Sequence, residues 1–205
     1  MKFPTATRHV ALPALRRLAV PVLLVIVCVT FATGGDALRE LARYDRDGLA
    51  LGQLWRLAGA HVTHLGWPHT WMNVVALALL AILFEDVLAA RDWLVGTVLS
   101  AASIDAGLYW LAPQIVWYVG LSGVLHGLLA LGGIKLASAR SALGYVLLAA
   151  LVLKLGWEQG YGSIPFSENT AGGPVIVDAH LYGAAGGALA AMFVLGVRRY
   201  RKARL

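Results

Sequence analysis

The sequence predicts an all-α membrane protein, a bundle of six transmembrane helices with both chain ends in the cytoplasm, and three observations point there. Of 205 residues, 59% are hydrophobic and only 14% charged, where a soluble domain draws about a quarter from charged types. The apolar residues come in long uncharged runs, and roughly 18 such residues are enough to cross a bilayer as a helix. Lys and Arg gather at the chain ends and in alternate loops, the asymmetry that orients membrane helices. A mean hydropathy of +0.71 agrees with all three.

The first apolar run spans about Leu18 to Thr33, behind a basic stretch holding Lys2, Arg8, Arg16 and Arg17. A cleaved signal peptide has this pattern too, and Ala32-Thr33-Gly34-Gly35 offers small residues. The later segments give a coherent topology only if the first helix is retained. A first loop over 36–68 opens with a mixed-charge stretch from Asp36 to Arg56. Core helices are expected over about 69–90, 93–111 (stopped by Pro113), 121–137, 141–155 and 175–197, with the Gly- and Pro-rich stretch 156–174 as a loop. No repeat or second domain is evident, so residues 1–205 form one domain.

With both ends inside, about 12 of the 17 Lys and Arg fall on the cytoplasmic side and about 5 on the outer side. Lys135 and Arg140 count among the inner charges. Four of the outer ones (Arg39, Arg43, Arg46, Arg56) share their loop with Asp36, Glu40, Asp45 and Asp47. The net charge of +6 is thus an orienting charge and not a nucleic-acid patch. The lone cysteine, Cys28, can form no intrachain disulfide and suits packing.

Polar side chains are costly in lipid and usually face a cavity or a partner. Ser122 sits in Gly120-Leu121-Ser122-Gly123 at the head of the fourth segment, where glycines permit a sharp turn. A helix N-terminus there presents free N–H groups to a developing oxyanion. His180 heads a face of small residues, Gly183, Ala184, Gly187 and Ala191, in the last segment. Gly123 and Gly127 form a second such face, so the two helices can approach closely, and a serine hydroxyl needs an adjacent base to become nucleophilic. His69 and Asn73, spaced i, i+4, project from one face of the second segment and can donate hydrogen bonds to an oxyanion. His126 follows Ser122 by four positions, a turn deeper, which suits a supporting role.

Each signal has an ordinary alternative: serine and glycine pack membrane helices, a lone histidine is often a hydrogen-bonded packing residue, and His69 with Asn73 could glue helices together. No acid is an obvious third member of a triad, since Asp178 precedes His180 by two positions and should point away; a Ser–His dyad is the economical proposal. His61-x-x-His64 invites a metal reading, but the pair lacks the glutamate base of H-E-x-x-H. Asp105 and Lys154 could mark an ion path or pair with each other or with Arg56. Glu85 and Asp86, beside Arg91, read as interfacial anchors.

Taken in order, Trp55-Arg56, His69-x-x-x-Asn73, Gly120-Leu121-Ser122-Gly123 and Ala179-His180-x-x-Gly183 resemble the motifs of rhomboid intramembrane serine proteases, one group per expected segment. The short chain, and His126 where many bacterial rhomboids carry an aromatic residue stacked on the histidine, resemble the rhombosortase branch. The resemblance implies Ser122 as nucleophile, His180 as base, and His69, Asn73 and the Ser122 amide as oxyanion hole. Gly120, Gly123, His126 and Gly183 are its supporting residues, and the 156–174 loop is its cap. It implies no cofactor and no metal. It further implies a bacterial inner-membrane enzyme whose site opens to the outer side, acting on single-pass proteins with a C-terminal Gly-Gly motif, an apolar helix and a basic tail. Two other readings are a non-proteolytic rhomboid-like binding factor and a small transporter, though no inverted repeat supports transport.

Overall fold

The computed structural model describes residues 11–202; Lys2 and Arg8, used above for orientation, and Arg204 of the basic tail counted with them lie outside the described residues. The first helix, α1 (Ala11–Thr33), starts earlier than its apolar run. It breaks at Gly34–Gly35, where Gly35 takes φ +57°, and the chain bends by 117° into α2 (Gly35–Ala42).

The stretch expected as a first loop is folded. It contains α2, a short strand β1 (Tyr44–Asp45), α3 (Arg46–Ala50) and α4 (Trp55–Gly59). Three of its side chains explain why. Asp45 accepts the Gly48 N–H at 2.8 Å and so caps α3. Arg56 donates to the carbonyls of Glu40 and Arg43 at 2.8 and 3.0 Å and to Gln53 at 2.6 Å. Trp55 Nε1–H reaches the Leu41 carbonyl at 3.0 Å, so the Trp55-Arg56 pair ties α4 back onto α2.

The remaining elements are α5 (Trp67–Leu83), α6 (Ala90–Trp110), β2 (Trp117–Tyr118), α7 (Ser122–Ser138), α8 (Ala142–Tyr161), α9 (Ser167–Ala171) and α10 (Val177–Lys202). Strands β1 and β2 pair antiparallel with Tyr44 opposite Tyr118. Arg46 caps the end of α6 by donating to the carbonyls of Leu108 and Tyr109 at 2.9 and 2.8 Å.

Three expectations are corrected. Helix α5 ends at Leu83, short of the expected 90, so Glu85 and Asp86 lie beyond it, where Asp86 pairs with Arg17 at 3.1 Å. Lys135, counted above as a cytoplasmic charge, is buried against Asp92 and the Val87 carbonyl. Helix α8 runs through Gly156 and Gly160 to Tyr161 and stops at Gly162, which takes φ +85°. A glycine costs a helix about 1 kcal/mol relative to alanine, but in lipid an unwound backbone leaves polar groups unsatisfied, which is the larger penalty. The expected 156–174 loop is therefore shorter and itself contains α9.

Among the described residues, two helices are long and apolar enough to span a membrane, Ala142–Tyr161 and Val177–Val197; the bent α1–α2 pair counts as a third if taken as one span. Helices α5 and α7 are apolar but only 17 residues each, about 25 Å at 1.5 Å per residue. Side chains such as Leu23, Ile26, Leu79, Ile82, Val98, Leu153 and Phe193 are exposed along these helices. An apolar exterior of this kind belongs in lipid, and the chain is an integral membrane protein.

Helix α7 is the central element and is buried on most sides, as expected of a helix apolar all round. Its contact with α10 is backbone on backbone. A Cβ at Gly183 would lie 2.0 Å from the Gly123 carbonyl oxygen, and one at Gly187 would lie 1.9 Å from that of Gly127. Gly186 meets α6 in the same way, 2.4 Å from the Leu99 carbonyl oxygen.

Candidate active site

The tight α7–α10 contact brings two side chains from distant parts of the chain together. Ser122 opens α7 and His180 lies in the first turns of α10, with Ser122 Oγ 3.0 Å from His180 Nε2. The turn before Ser122 is fastened at three points. The Gly120 N–H donates to the Ala60 carbonyl at 2.8 Å, and the Leu121 N–H donates to His64 Nε2 at 3.4 Å. The buried Tyr118 hydroxyl donates to the Gly120 carbonyl. Gly120 takes φ +130°, and a Cβ there would meet His69 Cε1 at 3.0 Å, so both conformation and space favour glycine.

Acting as acceptor for the Leu121 N–H requires a neutral His64 with its Nε2 unprotonated. His64 sits in the turn between α4 and α5, where burial, with a smaller contribution from neighbouring His69, pushes its imidazole down to about 3.

His180 uses its other nitrogen as well. Nδ1 lies 3.1 and 3.0 Å from the two carboxylate oxygens of Glu158. A carboxylate accepts only, so Nδ1 carries the hydrogen and the lone pair of Nε2 faces the Ser122 hydroxyl. Glu158 in turn accepts from Lys154, one turn back on α8. Reading the sequence finds no acid for His180; the fold supplies one, from a segment expected to be loop.

His126 stacks on His180 with ring centroids 4.1 Å apart and planes at 16°. Its Nδ1–H donates to the Ser122 carbonyl at 2.7 Å, which holds the ring parallel to its neighbour. On the opposite side, His69 Nδ1 accepts the Leu65 N–H at 3.3 Å. That bond fixes the proton of a neutral His69 on Nε2, next to Gly120. The Asn73 amide spends one hydrogen on the His69 carbonyl at 2.9 Å and keeps a second to donate.

Ser122, His180, His69, Asn73 and His126 all line one cavity of about 440 Å³. Glu158 and Lys154 line it from α8, and Val175 and Ile176 line it from the stretch ahead of α10. Gly123 and Gly183 frame the site from behind, at the close contact of α7 and α10.

The other polar groups noted in the sequence lie elsewhere. Asp105 accepts from His61 at 3.2 Å, so it pairs neither with Lys154 nor with Arg56. His61 and His64 thus face different partners. His126, Glu158 and His180 bring ligand atoms within 4.8 Å of one another, which raises the question of a metal. Imidazole lone pairs lie in the ring plane, and two rings stacked at 16° direct them side by side and not to a common point. Both Nδ1 positions are also engaged as donors, so these residues form a hydrogen-bond chain and a poor ligand set.

The family model described as Rhomboid domain fits residues 51–197, which contain every site residue named above. No curated protein matches the chain.

Proposed function

Since the chain belongs to the rhomboid family, whose members are intramembrane serine proteases, we propose that it cleaves membrane-anchored proteins with Ser122 as nucleophile and His180 as base. The observation that carries this reading is the 3.0 Å contact between Ser122 Oγ and His180 Nε2 in the wall of the cavity that His69 and Asn73 also line. In the proposed reaction Ser122 Oγ attacks the scissile carbonyl carbon and its proton passes to His180 Nε2. His69 Nε2–H, the free Asn73 amide hydrogen and the Ser122 N–H stabilise the oxyanion. The first-turn N–H groups of a helix have no intrahelical acceptor, which suits the last of these. Collapse breaks the C–N bond, and His180 returns its proton to the leaving amine. Water or another amine then releases the acyl group from Ser122.

The chain is proposed to cross the bacterial inner membrane six times, as α1, α5, α6, α7, α8 and α10, with both ends cytoplasmic and the cavity opening to the outer side. The short α5 and α7 are compatible with this: α7 is buried among its neighbours, and α5 carries an exposed apolar face that includes Leu79 and Ile82. The proposed substrates are single-pass proteins ending in a Gly-Gly motif, an apolar helix and a basic tail. Glycines favour this class physically, since a helix must unwind locally to reach a recessed serine and glycine makes unwinding cheap.

The test is co-expression with a tagged exported reporter bearing such a tail. Cleavage by the parent, abolished in both Ser122→Ala and His180→Ala, is the expected result. Cleavage that persists in Ser122→Ala removes the nucleophile assignment. A reporter left intact by a well-expressed parent points to another substrate class or to a binding role.

A further inference from the structure

Glu158 is an unusual residue to find where it lies. It is 3% exposed, on a helix otherwise rich in Leu and Val, and a carboxylate so placed is costly unless it is paired and hydrogen-bonded. Lys154 alone would satisfy it as a surface-directed i, i+4 ion pair, with the lysine side chain 32% exposed. Instead, both carboxylate oxygens converge on His180 Nδ1, at 3.0 and 3.1 Å.

From this geometry we infer that Glu158 is the positioning acid of a Ser122–His180–Glu158 triad, and that Lys154 holds its carboxylate in place. The inference rests on the roles proposed above for Ser122 and His180. The carboxylate does two things. It fixes the imidazole as the Nδ1–H tautomer, so that the Nε2 lone pair faces the Ser122 hydroxyl. It also stabilises the imidazolium that forms when the serine proton arrives, in surroundings where an unpaired cation is costly. Lys154 balances Glu158, so the buried chain of groups is neutral at rest, and the imidazolium appears together with the oxyanion. His126 cannot substitute for Glu158: it meets His180 face to face and spends its Nδ1–H on the Ser122 carbonyl.

Labelling of the full-length enzyme in detergent with a fluorophosphonate tests this without knowledge of the natural substrate. Ser122 Oγ bonds to phosphorus, the P–F bond breaks, fluoride leaves and the serine proton goes to His180. The rate at saturating probe separates the chemical step from probe binding. Glu158→Gln keeps the size of the side chain and removes its charge. It is expected to lower the saturating rate by about 10²-fold or more, with the half-saturating probe concentration changed less than about twofold. Glu158→Asp, which restores a carboxylate one methylene shorter, is expected to recover at least about tenfold of that loss; a merely structural role predicts no such rescue.

Parent-like labelling of Glu158→Gln, with Ser122→Ala unlabelled, overturns the triad and leaves the proposed function intact. Labelling of Ser122→Ala at the parent rate overturns the nucleophile assignment itself. If Glu158→Gln does not accumulate as folded protein, Lys154→Met decides. A saturating rate lowered about tenfold at unchanged probe binding supports the relay, and an unchanged rate overturns it.

Discussion

The site has two walls built on opposite principles. On one side, α7 and α10 meet through glycines, with carbonyl oxygens occupying the space where side chains would be. On the other, α8 carries Gly156 and Gly160 with nothing within 4 Å of either added Cβ, and it supplies the charged pair Lys154 and Glu158. The first wall sets the distance between Ser122 and His180, because neither backbone can yield without moving both. The second reaches His180 through the Glu158 carboxylate, at 3.0 and 3.1 Å from Nδ1. Glycine thus has two meanings in one small molecule: closeness at Gly183, and mere tolerance at Gly156.

Substituting each glycine tests that difference, and the larger effect belongs to the seam. Gly183→Ala adds one methyl group where a Cβ would lie 2.0 Å from the Gly123 carbonyl oxygen. The helices must part, at a cost of about 1–3 kcal/mol for an overpacked interior. Because Gly183 is one turn from His180, the parting also lengthens the Ser–His contact, and a misplacement of about 1 Å can cost about 10²-fold in rate. Gly156→Ala meets nothing and is expected to raise stability by up to about 1 kcal/mol, with activity unchanged. Melting temperature and fluorophosphonate labelling rate, measured on both variants, check the pair of expectations. Equal losses in the two would sink the contrast.

The same contrast explains what could be read from the sequence. Ser122, His69, Asn73, His126 and His180 could be picked out because each sits on an apolar segment at helical spacing from another informative residue. The small-residue faces of α7 and α10 announced the close contact in the same local way. Glu158 was hidden by a boundary. Gly156, Gly160, Gly162, Pro165 and the glycines beyond look like one continuous loop, yet only Gly162, with φ +85°, ends the helix. Extending α8 to Tyr161 puts Glu158 one turn from Lys154 and facing α10, which periodicity alone could have suggested had the helix not been cut short. The folded first loop was hidden for a different reason. Its helices are held by Arg56 reaching the carbonyls of Glu40 and Arg43, and nothing local in the sequence identifies those acceptors. The partner of Asp105, His61, is equally non-local.

The turn that presents Ser122 belongs to neither wall, and acid should loosen it. His64 must be neutral to accept the Leu121 N–H, and its folded value near 3 lies well below the 6.5 of an exposed histidine. As pH falls from 6.5 towards 3, the unfolded chain takes up a proton that the folded chain refuses. His64 therefore contributes stability that is fully present above about pH 6.5 and is lost progressively below it. Between pH 7 and pH 5 the loss comes to about 2 kcal/mol. His64→Gln keeps an acceptor and cannot titrate, so its thermal stability in detergent should fall less than the parent's over that interval. A variant as acid-sensitive as the parent would assign the effect to other groups.

The smallest expected effect separates the two things His126 does on the tight wall. Its ring stacks on His180, and its Nδ1–H binds the Ser122 carbonyl at 2.7 Å. Stacking is worth about 0.5–1.5 kcal/mol beyond buried area, which corresponds to at most about tenfold in rate if all of it restrains the imidazole during reaction. His126→Phe keeps the stack and loses the hydrogen bond; His126→Ala loses both. If the stack orients His180, the phenylalanine variant should label within about threefold of the parent and the alanine variant about tenfold more slowly. If the hydrogen bond to the Ser122 carbonyl is what matters, the two variants should be equally impaired, because neither can donate it. The second outcome would move the function of His126 from the His180 ring to the turn that carries Ser122. It would also make Glu158 the one side chain proposed to orient the His180 ring.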